Sequence, residues 1–313
     1  MHQFFNTSPG FLMTTTRFVR LTAIAACASM LAACANTHNA ATPVTIATAS
    51  AQTMQLQQIR NATIKLEYAG TTFLVDPMLA RKGAYPGFEG TYNSHLRNPL
   101  VELPIPVTEV LKADAIIVTH THADHWDDAA KAGVPKSMPI FAQNEEDAAS
   151  IRQDGFTDVR VLSARTEFKG TTLIRTAAQH GTDQMYATPP LAKLLGQSTG
   201  VVFSRPGYKT TYVAGDTIWT SQIEATIRQY QPDVIVLNTG YARITGVDGS
   251  IIMGKDDLWR AYQLAPQAKI IGSHMESVNH MTQSRKDLRD FIAEKAMDPQ
   301  RVLVPADGES YRF

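Results

Sequence analysis

The segment that most constrains this chain covers residues 116–128, Ile-Ile-Val-Thr-His-Thr-His-Ala-Asp-His-Trp-Asp-Asp. Its three apolar β-branched residues are typical of a buried strand. Side chains alternate between the two faces of a strand, so His120 and His122 share one side at its end. Asp124 and His125 follow on the next turn. The sequence therefore predicts a buried strand that presents metal ligands at its carboxyl end.

Imidazole nitrogens beside a carboxylate favour zinc or a similar borderline metal. Four ligands from one turn cannot all bind one ion, so the segment predicts two adjacent ions. We assign His120 and His122 to the first ion, and Asp124 and His125 to the second. Each ion then needs further ligands from another part of the chain.

Three residues at the ends of other predicted strands are candidates for these further ligands, namely His180, Asp216 and His274. Alone, each of them would more often be a structural residue at the start of a loop. Together with residues 120–125 they form a full ligand set, with His180 on the first ion and His274 on the second. Asp216 would bridge both ions through its two oxygens.

The N-terminal part of the chain is typical of a secretory signal. Residues 13–34 have a basic start, an Ala-rich apolar run and a closing Leu-Ala-Ala-Cys, and the run is short for a membrane span. We predict a signal peptide over residues 1–34, with Cys34 lipidated in an exported, periplasmic protein that is anchored to the membrane. A plain cleaved signal is the alternative. Residues 35–53 are small and polar, which predicts a flexible tether.

The composition is that of an ordinary globular protein, since the 313 residues are 44% hydrophobic and 19% charged with a net charge of +0. This balance gives no support for a nucleic-acid partner. Residues 54–313 contain no Gly/Ser linker, and both halves combine hairpins with strand–helix–strand units. We predict one α/β domain over 54–313, with two sheets back to back and helices outside. Cys27 and Cys34 both precede it, so its metal ligands must be His and carboxylates.

Local signals place several elements within this domain. Alternation over residues 63–75 predicts a hairpin. Asn144 and the capping boxes Ser221-x-x-Glu224 and Ser284-x-x-Asp287 each predict the start of a helix.

Two long stretches, 79–104 and 181–198, lack periodicity and are predicted to be irregular. Long irregular stretches inside a compact domain are usually functional. The first, which carries Tyr92 and His95, is interpreted either as a flap over the site or as a surface excursion. Both stretches are expected to set substrate specificity.

The order of the candidate ligands resembles that of the metallo-β-lactamase superfamily over nearly all of residues 56–313. The matching motifs are His120-x-His122-x-Asp124-His125, His180, Gly215-Asp216-Thr217 and His274. Three further segments are similar to the branch containing ascorbate-6-phosphate lactonase and N-acyl-phosphatidylethanolamine phospholipase D, namely Ala62-Thr63-Ile64, Phe73-Leu74-Val75-Asp76-Pro77 and Met253-Gly254. The resemblance implies a four-layer αββα sandwich, a dinuclear site at one edge of the sheets and a metal-bridging hydroxide as nucleophile.

The sequence also departs from that branch in two places. Asn61 stands where the branch often has a His, and Met275 stands where an aromatic residue often follows the C-terminal His. These differences predict a pocket wall unlike that of the branch.

The ligand Asp124 and four other polar residues are candidates for further roles around the metals. Asp124 would orient the nucleophile and receive its proton. His280 and Tyr241 are candidates for protonating the leaving group, although His280 is also interpreted as a surface residue at a helix start. Asp76 and Asp127 would each either orient a ligand His or form a local turn or cap.

These features predict a hydrolase with two divalent ions, zinc foremost and manganese or iron as alternatives. The expected substrate is a small ester, lactone or phosphodiester. Hydrolysis of a β-lactam is one alternative, and a non-catalytic exported lipoprotein that retains the fold for binding is another. No nucleic-acid partner is expected, and membrane contact is expected only through the lipid anchor.

Overall fold

The computed structural model of the protein describes residues 53–313. The predicted signal peptide and all but the last residue of the predicted tether therefore lie outside the described residues. Within residues 53–313, no helix combines the length and apolar character needed to cross a membrane.

The described chain forms fourteen strands and eight helices. The strands are β1 (Gln55–Arg60), β2 (Thr63–Tyr68), β3 (Thr71–Val75), β4 (Ala115–Val118), β5 (Ile140–Ala142), β6 (Val159–Val161), β7 (Thr166–Phe168), β8 (Thr171–Ala177), β9 (Thr199–Ser204), β10 (Thr211–Val213), β11 (Val234–Asn238), β12 (Lys269–Ser273), β13 (Val302–Leu303) and β14 (Ser310–Arg312). The helices are α1 (Val107–Val110), α2 (Asp128–Gly133), α3 (Glu145–Gln153), α4 (Asp183–Tyr186), α5 (Pro189–Leu195), α6 (Ser221–Tyr230), α7 (Lys255–Leu264) and α8 (Arg285–Glu294).

The strands build two sheets of seven strands each, in the orders β14-β1-β2-β3-β4-β5-β6 and β13-β12-β11-β10-β9-β8-β7. In the first sheet the pairs from β14 to β3 are antiparallel and the pairs from β3 to β6 are parallel. The second sheet repeats this plan, with antiparallel pairs from β7 to β10 and parallel pairs from β10 to β13. The two sheets thus share one design, with the C-terminal strand β14 returning to the edge of the first sheet beside β1.

The two sheets pack face to face over an apolar core with an aromatic centre. Phe73 of the first sheet and Phe203 of the second lie with ring centroids 5.2 Å apart and an edge-to-face angle of 66°, a favourable aromatic geometry. A second cluster packs α1, α2 and α3 on the outer face of the first sheet. A third packs α6, α7 and α8 on the outer face of the second. The predicted αββα sandwich is therefore confirmed.

Two local predictions need correction. The stretch 181–198 was predicted to be irregular, but it contains α4 and α5. The two prolines that suggested irregular structure occupy the first turn of α5. Helices tolerate proline there, since its missing N–H has no partner in that turn. The cap of α6 is Thr220, whose side chain accepts from Ile223 N, and not Ser221. Ser221 is instead the first residue of α6, and Glu224 accepts from Trp219 Nε1 at 2.9 Å.

The other helix starts agree with the sequence. Asn144 caps α3 by accepting from Asp147 N, and Ser284 and Asp287 form a reciprocal capping box at the start of α8. The hairpin predicted over 63–75 is the pair β2–β3. The residues that follow β3, β4, β8, β10 and β12 meet at one edge of the sandwich, which is where the candidate site lies.

Candidate metal centre

All seven predicted ligands meet at this edge and fall into three overlapping groups. Within each group, one nitrogen or oxygen atom per residue lies within 4.8 Å of the others. The groups are His120, His122 and His180; His120, His125 and Asp216; and Asp124, His125 and His274.

A chain of hydrogen bonds from Asp76 through Thr119 determines which nitrogen of His120 carries the proton. The Thr119 hydroxyl donates to Asp76 Oδ2 at 2.7 Å, so its oxygen is left to accept from His120 Nδ1 at 3.2 Å. With the proton on Nδ1, His120 Nε2 carries a lone pair. That atom lies 3.0 Å from His122 Nδ1 and faces the cluster.

His122 and His180 are oriented by backbone carbonyls. His122 Nε2 donates to Leu194 O at 3.0 Å, and His180 Nδ1 donates to Leu195 O at 3.3 Å. A carbonyl can only accept, so the other nitrogen of each ring carries a lone pair. His180 Nε2 is buried with no hydrogen-bond partner among residues 53–313. Inward lone pairs with outward N–H bonds are the arrangement of histidines that bind a metal, so these residues fit a divalent cation.

Asp216 contacts both halves of the cluster through one oxygen. The first half consists of the residues assigned to the first ion, His120, His122 and His180, and the second half consists of Asp124, His125 and His274. Its Oδ2 lies 3.1 Å from His125 Nε2, 3.4 Å from His180 Nε2 and 3.5 Å from His274 Nε2. Its Oδ1 accepts from Asn238 Nδ2 at 2.7 Å. Oδ2 thus contacts the cluster while Oδ1 is hydrogen-bonded to Asn238, and bridging through both oxygens stays a prediction. Asn238 was not among the predicted site residues, although it ends the buried strand β11, which lies between the strands that precede Asp216 and His274.

Asp124 lies on the side of His125 and His274. Its Oδ2 is 3.8 Å from His125 Nε2 and 3.6 Å from His274 Nε2. Asn61 Nδ2 donates to the carbonyl of Asp124 at 2.8 Å and so holds the turn that carries it. Asn61, which departs from the motif of that branch, is thus a buried support of the turn that carries Asp124.

For both Asp76 and Asp127 the sequence left two roles open, orienting a ligand His or forming a local turn or cap. In the structure each residue takes a different one. Asp76 Oδ2 accepts from His125 Nδ1 at 2.8 Å and so orients a candidate ligand. Asp127 caps α2 by accepting from Ala130 N at 2.7 Å, and its other oxygen accepts from two backbone N–H groups of the stretch 79–104. The first aspartate supports the site and the second supports the fold.

Burial keeps three of the imidazoles neutral. It lowers the pKa of His122, lowers that of His120 well below its usual value, and lowers that of His180 to about 3. Metal binding needs neutral imidazole. These three histidines are therefore in the required state at neutral pH.

The second half of the cluster is strongly negative. Burial acts to raise the pKa of Asp216, but His125 and His274 outweigh it and hold that pKa well below its usual value. Burial likewise acts to lower the pKa of His125, but the carboxylates of Asp216, Asp124 and Asp76 hold it well above its usual value. Three carboxylates around one imidazole attract a positive charge, either a proton or a metal cation.

The cluster opens into a cavity of about 370 Å³. Its lining combines ligand side chains with a mainly apolar wall, consisting of Phe88, Glu89, Thr91, His122, Ala123, Asp124, His180, Leu194, Leu195, Asp216, Ile244, Ile251 and His280. His280 is only 7% exposed, which contradicts its interpretation as a surface residue. Tyr241 is 37% exposed, packs beside Gly254 and does not line this cavity.

The stretch 79–104 forms one wall of the cavity and is held in place by Asn279. The Asn279 side chain accepts from Phe88 N at 2.9 Å and donates to Thr91 Oγ1 at 2.9 Å and Tyr92 O at 2.7 Å. This fixes Phe88 against His280, with ring centroids 5.0 Å apart. The stretch is thus part of the site, although His95 is exposed on its outer side. No sequence motif had marked Asn279.

Asp76→Ala is expected to weaken zinc binding by about 10–100-fold, because His125 would lose the acceptor that orients it. A competition titration with a chromophoric chelator measures this affinity. Asp127→Ala is the matched control, since it removes a buried carboxylate from the same region. It is expected to lower the free energy of unfolding by about 2 kcal/mol through loss of the cap and to leave zinc affinity unchanged. Equal losses of zinc affinity in both variants would contradict the separate roles.

Comparison with known proteins agrees with this geometry. Residues 71–275 match the sequence model of the Beta-lactamase superfamily domain. The UPF0173 protein YddR of Bacillus subtilis (strain 168) is 47% identical over 261 residues, which cover 83% of this chain and 100% of that protein. A UPF0173 metal-dependent hydrolase of Archaeoglobus fulgidus is 27% identical over 207 residues, 66% of this chain and 84% of that protein.

Two solved structures are also similar. The crystal structure of isothiocyanate hydrolase from Delia radicum gut bacteria has a TM-score of 0.80 and 48% identity, covering 83% of this chain and 99% of that one. A possible metal-dependent hydrolase from Veillonella parvula has a TM-score of 0.81 and 49% identity, covering 82% and 98%.

The fold and the ligand cluster define a protein of the metallo-β-lactamase superfamily. More narrowly, the chain belongs to the UPF0173 family of metal-dependent hydrolases. The resemblance to the ascorbate-6-phosphate lactonase branch stays a prediction.

Proposed function

We propose that this protein hydrolyses small uncharged electrophiles and that isothiocyanates are its substrate class. The observation that carries the proposal is the opening of the His/Asp cluster directly into a mainly apolar cavity. The similarity to an isothiocyanate hydrolase at 48% identity supports the same conclusion. An isothiocyanate has an apolar substituent and a compact electrophilic carbon, which suit such a wall and such a cluster.

The charge of the wall favours a neutral substrate over a phosphodiester. The cavity lining includes Glu89 and, within the described part of the chain, neither Arg nor Lys. A phosphodiester would therefore meet no cationic side chain there, whereas phosphate sites in proteins commonly use Arg or Lys. Small esters and lactones satisfy the charge argument as isothiocyanates do, and they are the nearest competitors.

The expected reaction consumes one water molecule. The water oxygen bonds to the central carbon of the N=C=S group, protons pass to nitrogen, and cleavage of the C–N bond releases an amine and carbonyl sulfide. Two divalent ions in the cluster, zinc foremost and manganese or iron as alternatives, would lower the pKa of water and polarise the electrophile.

Three residues of the chain have distinct tasks in this reaction. Asp124 has an oxygen at the cluster and on the cavity wall, so it accepts a proton from the attacking water. His280 is kept neutral because burial lowers its pKa to about 4, and it donates a hydrogen bond to the substrate nitrogen. Phe88 packs on the substituent and excludes solvent.

The direct test compares zinc-loaded wild type with Asp124→Ala on several substrates. These are benzyl isothiocyanate, a p-nitrophenyl ester, a γ-lactone, bis-p-nitrophenyl phosphate and nitrocefin. We expect benzylamine to form from the isothiocyanate with wild type only. Preferred turnover of the ester or lactone would overturn the substrate class, and preferred turnover of nitrocefin would support β-lactam hydrolysis. Zinc binding without turnover of any substrate would favour a non-catalytic role.

His280→Asn is expected to lower kcat for benzyl isothiocyanate by about 10²-fold, since one hydrogen-bond donor to the reacting atoms would be lost or displaced. Steady-state kinetics should show a smaller change in KM. Phe88→Leu is the companion variant, and it should raise KM more than it lowers kcat because it changes only apolar contact. An unchanged kcat in His280→Asn would exclude the assigned role.

A further inference from the structure

We infer that the carboxyl end of α5 is a positioning element for the first metal site and also a contact surface for substrate. Leu194 and Leu195 would perform both tasks, the first with their carbonyls and the second with their side chains. The part that concerns substrate rests on the proposed function.

The positioning task follows from two adjacent hydrogen bonds. The carbonyls of Leu194 and Leu195 accept from His122 Nε2 at 3.0 Å and from His180 Nδ1 at 3.3 Å. The last carbonyls of a helix have no helical N–H partner, so the end of α5 supplies them without loss of a backbone bond. Both histidines belong to the group assigned to the first ion. A shift of this helix end would therefore turn two of its ligands together.

The contact task follows from the side chains of the same residues. Leu194 and Leu195 both line the cavity. Leu195 is buried, whereas the side chain of Leu194 is 55% exposed. An apolar substrate that covers Leu194 would remove this surface from water and hold the helix end in place. By linkage, such a substrate would also strengthen binding of the first ion.

The end of α5 is itself held by a specific cap. Gly196 has φ 60° and ψ −145°, and its N–H donates to Ala192 O at 3.0 Å. Tyr186 Oη donates to Gly196 O at 2.8 Å. A Cβ at Gly196 would meet no atom within 4 Å, so substitution there strains only the backbone. Gly196→Ala and Tyr186→Phe therefore perturb the cap without removing a ligand or filling the cavity.

Gly70→Ala is the matched control, because Gly70 also has a positive φ of 77° and open space around it, at the β2–β3 turn. Zinc affinities are measured by chelator competition, with folding checked by thermal melting. We expect Gly70→Ala to bind two zinc ions as wild type does. In Gly196→Ala one of the two should bind about 10–100-fold more weakly, and Tyr186→Phe should shift it in the same direction by less. Unchanged affinities in both α5 variants would overturn the positioning task.

The contact task is tested with Leu194→Ala, which keeps the carbonyl and shortens the side chain. Propylbenzene serves as an unreactive apolar probe. In chelator competition at equilibrium it should tighten zinc binding by at least about fivefold in wild type and by much less in Leu194→Ala, each protein being compared with itself without the probe. Equal tightening in both proteins, or none in wild type, would overturn the linkage. A wild type that bound zinc but showed none of these effects would overturn only this inference, whereas a wild type that bound no zinc would overturn the proposed function as well.

Discussion

Asp216→Asn is expected to lower kcat/KM for benzyl isothiocyanate by at least about 10³-fold, or about 4 kcal/mol of transition-state stabilisation. The reason is the position of Asp216 Oδ2, which contacts histidines of both halves of the cluster. Asparagine has nearly the same shape but no charge, so it neutralises the carboxylate that would hold both ions and whose Oδ2 contacts His125, His180 and His274. Metal content is expected to fall together with activity.

A matched control separates this effect from loss of a buried charge in general. Asp257 is a half-buried carboxylate that accepts from Gly254 N at 3.0 Å at the start of α7, and it does not belong to the ligand groups of the described chain. Asp257→Asn should keep wild-type kcat/KM and zinc content. Both variants are assayed after thermal melting shows a folded protein. An Asp216→Asn variant with two zinc ions and activity within tenfold of wild type would contradict the bridging role.

Much of the site could be predicted because its main segment is local. The alternation of a strand brings His120 and His122 to one side, and that information lies in a few consecutive residues. The distant ligands His180, Asp216 and His274 could be found because each lies within three residues after the end of a strand. Parallel strands bring their ends to one edge of a sheet, so the position of a residue after a strand carries spatial information.

The supports of the site could not be predicted because they depend on long-range contacts without a local pattern. Leu194 and Leu195 act on the histidines through backbone carbonyls, which the side-chain sequence does not encode. Asn279 fixes Phe88, which lies 191 positions away in the chain. Tyr241, a candidate for protonating the leaving group, has a backbone φ of 49°, and its ring lies beside Gly254 rather than on the cavity wall.

The same distinction explains why the chemistry was easier to predict than the substrate. The ligand set follows from strand ends, and it implies metal-dependent hydrolysis whatever the substrate is. The cavity wall comes from the stretch 79–104, the end of α5 and the segment around Ile244, none of which has a periodic pattern. Its apolar character became visible only when these segments were seen together.

Removal of metal with excess dipicolinate is expected to abolish turnover and to lower Tm by about 5–10 °C. Ions that bind only the folded state at 100 times their dissociation constant stabilise it by about 2.7 kcal/mol. For a domain of this size each kcal/mol corresponds to about 2–4 °C. The loss should be large because the buried carboxylates of Asp124 and Asp216 would lose their cationic partners. Addition of zinc should restore both activity and Tm.

The same treatment of Asp216→Asn distinguishes a metal effect from a direct effect of the chelator. This variant has already lost the negative charge that contacts both halves of the cluster, so its Tm should fall by much less than that of wild type. Dipicolinate saturated with zinc should change neither protein. Equal shifts in the two proteins would mean that the stabilising ion binds elsewhere, and an unchanged wild-type activity after complete zinc removal would contradict metal-dependent hydrolysis. The difference between the two Tm shifts therefore measures how much of the stability of the fold depends on the site that Asp216 joins.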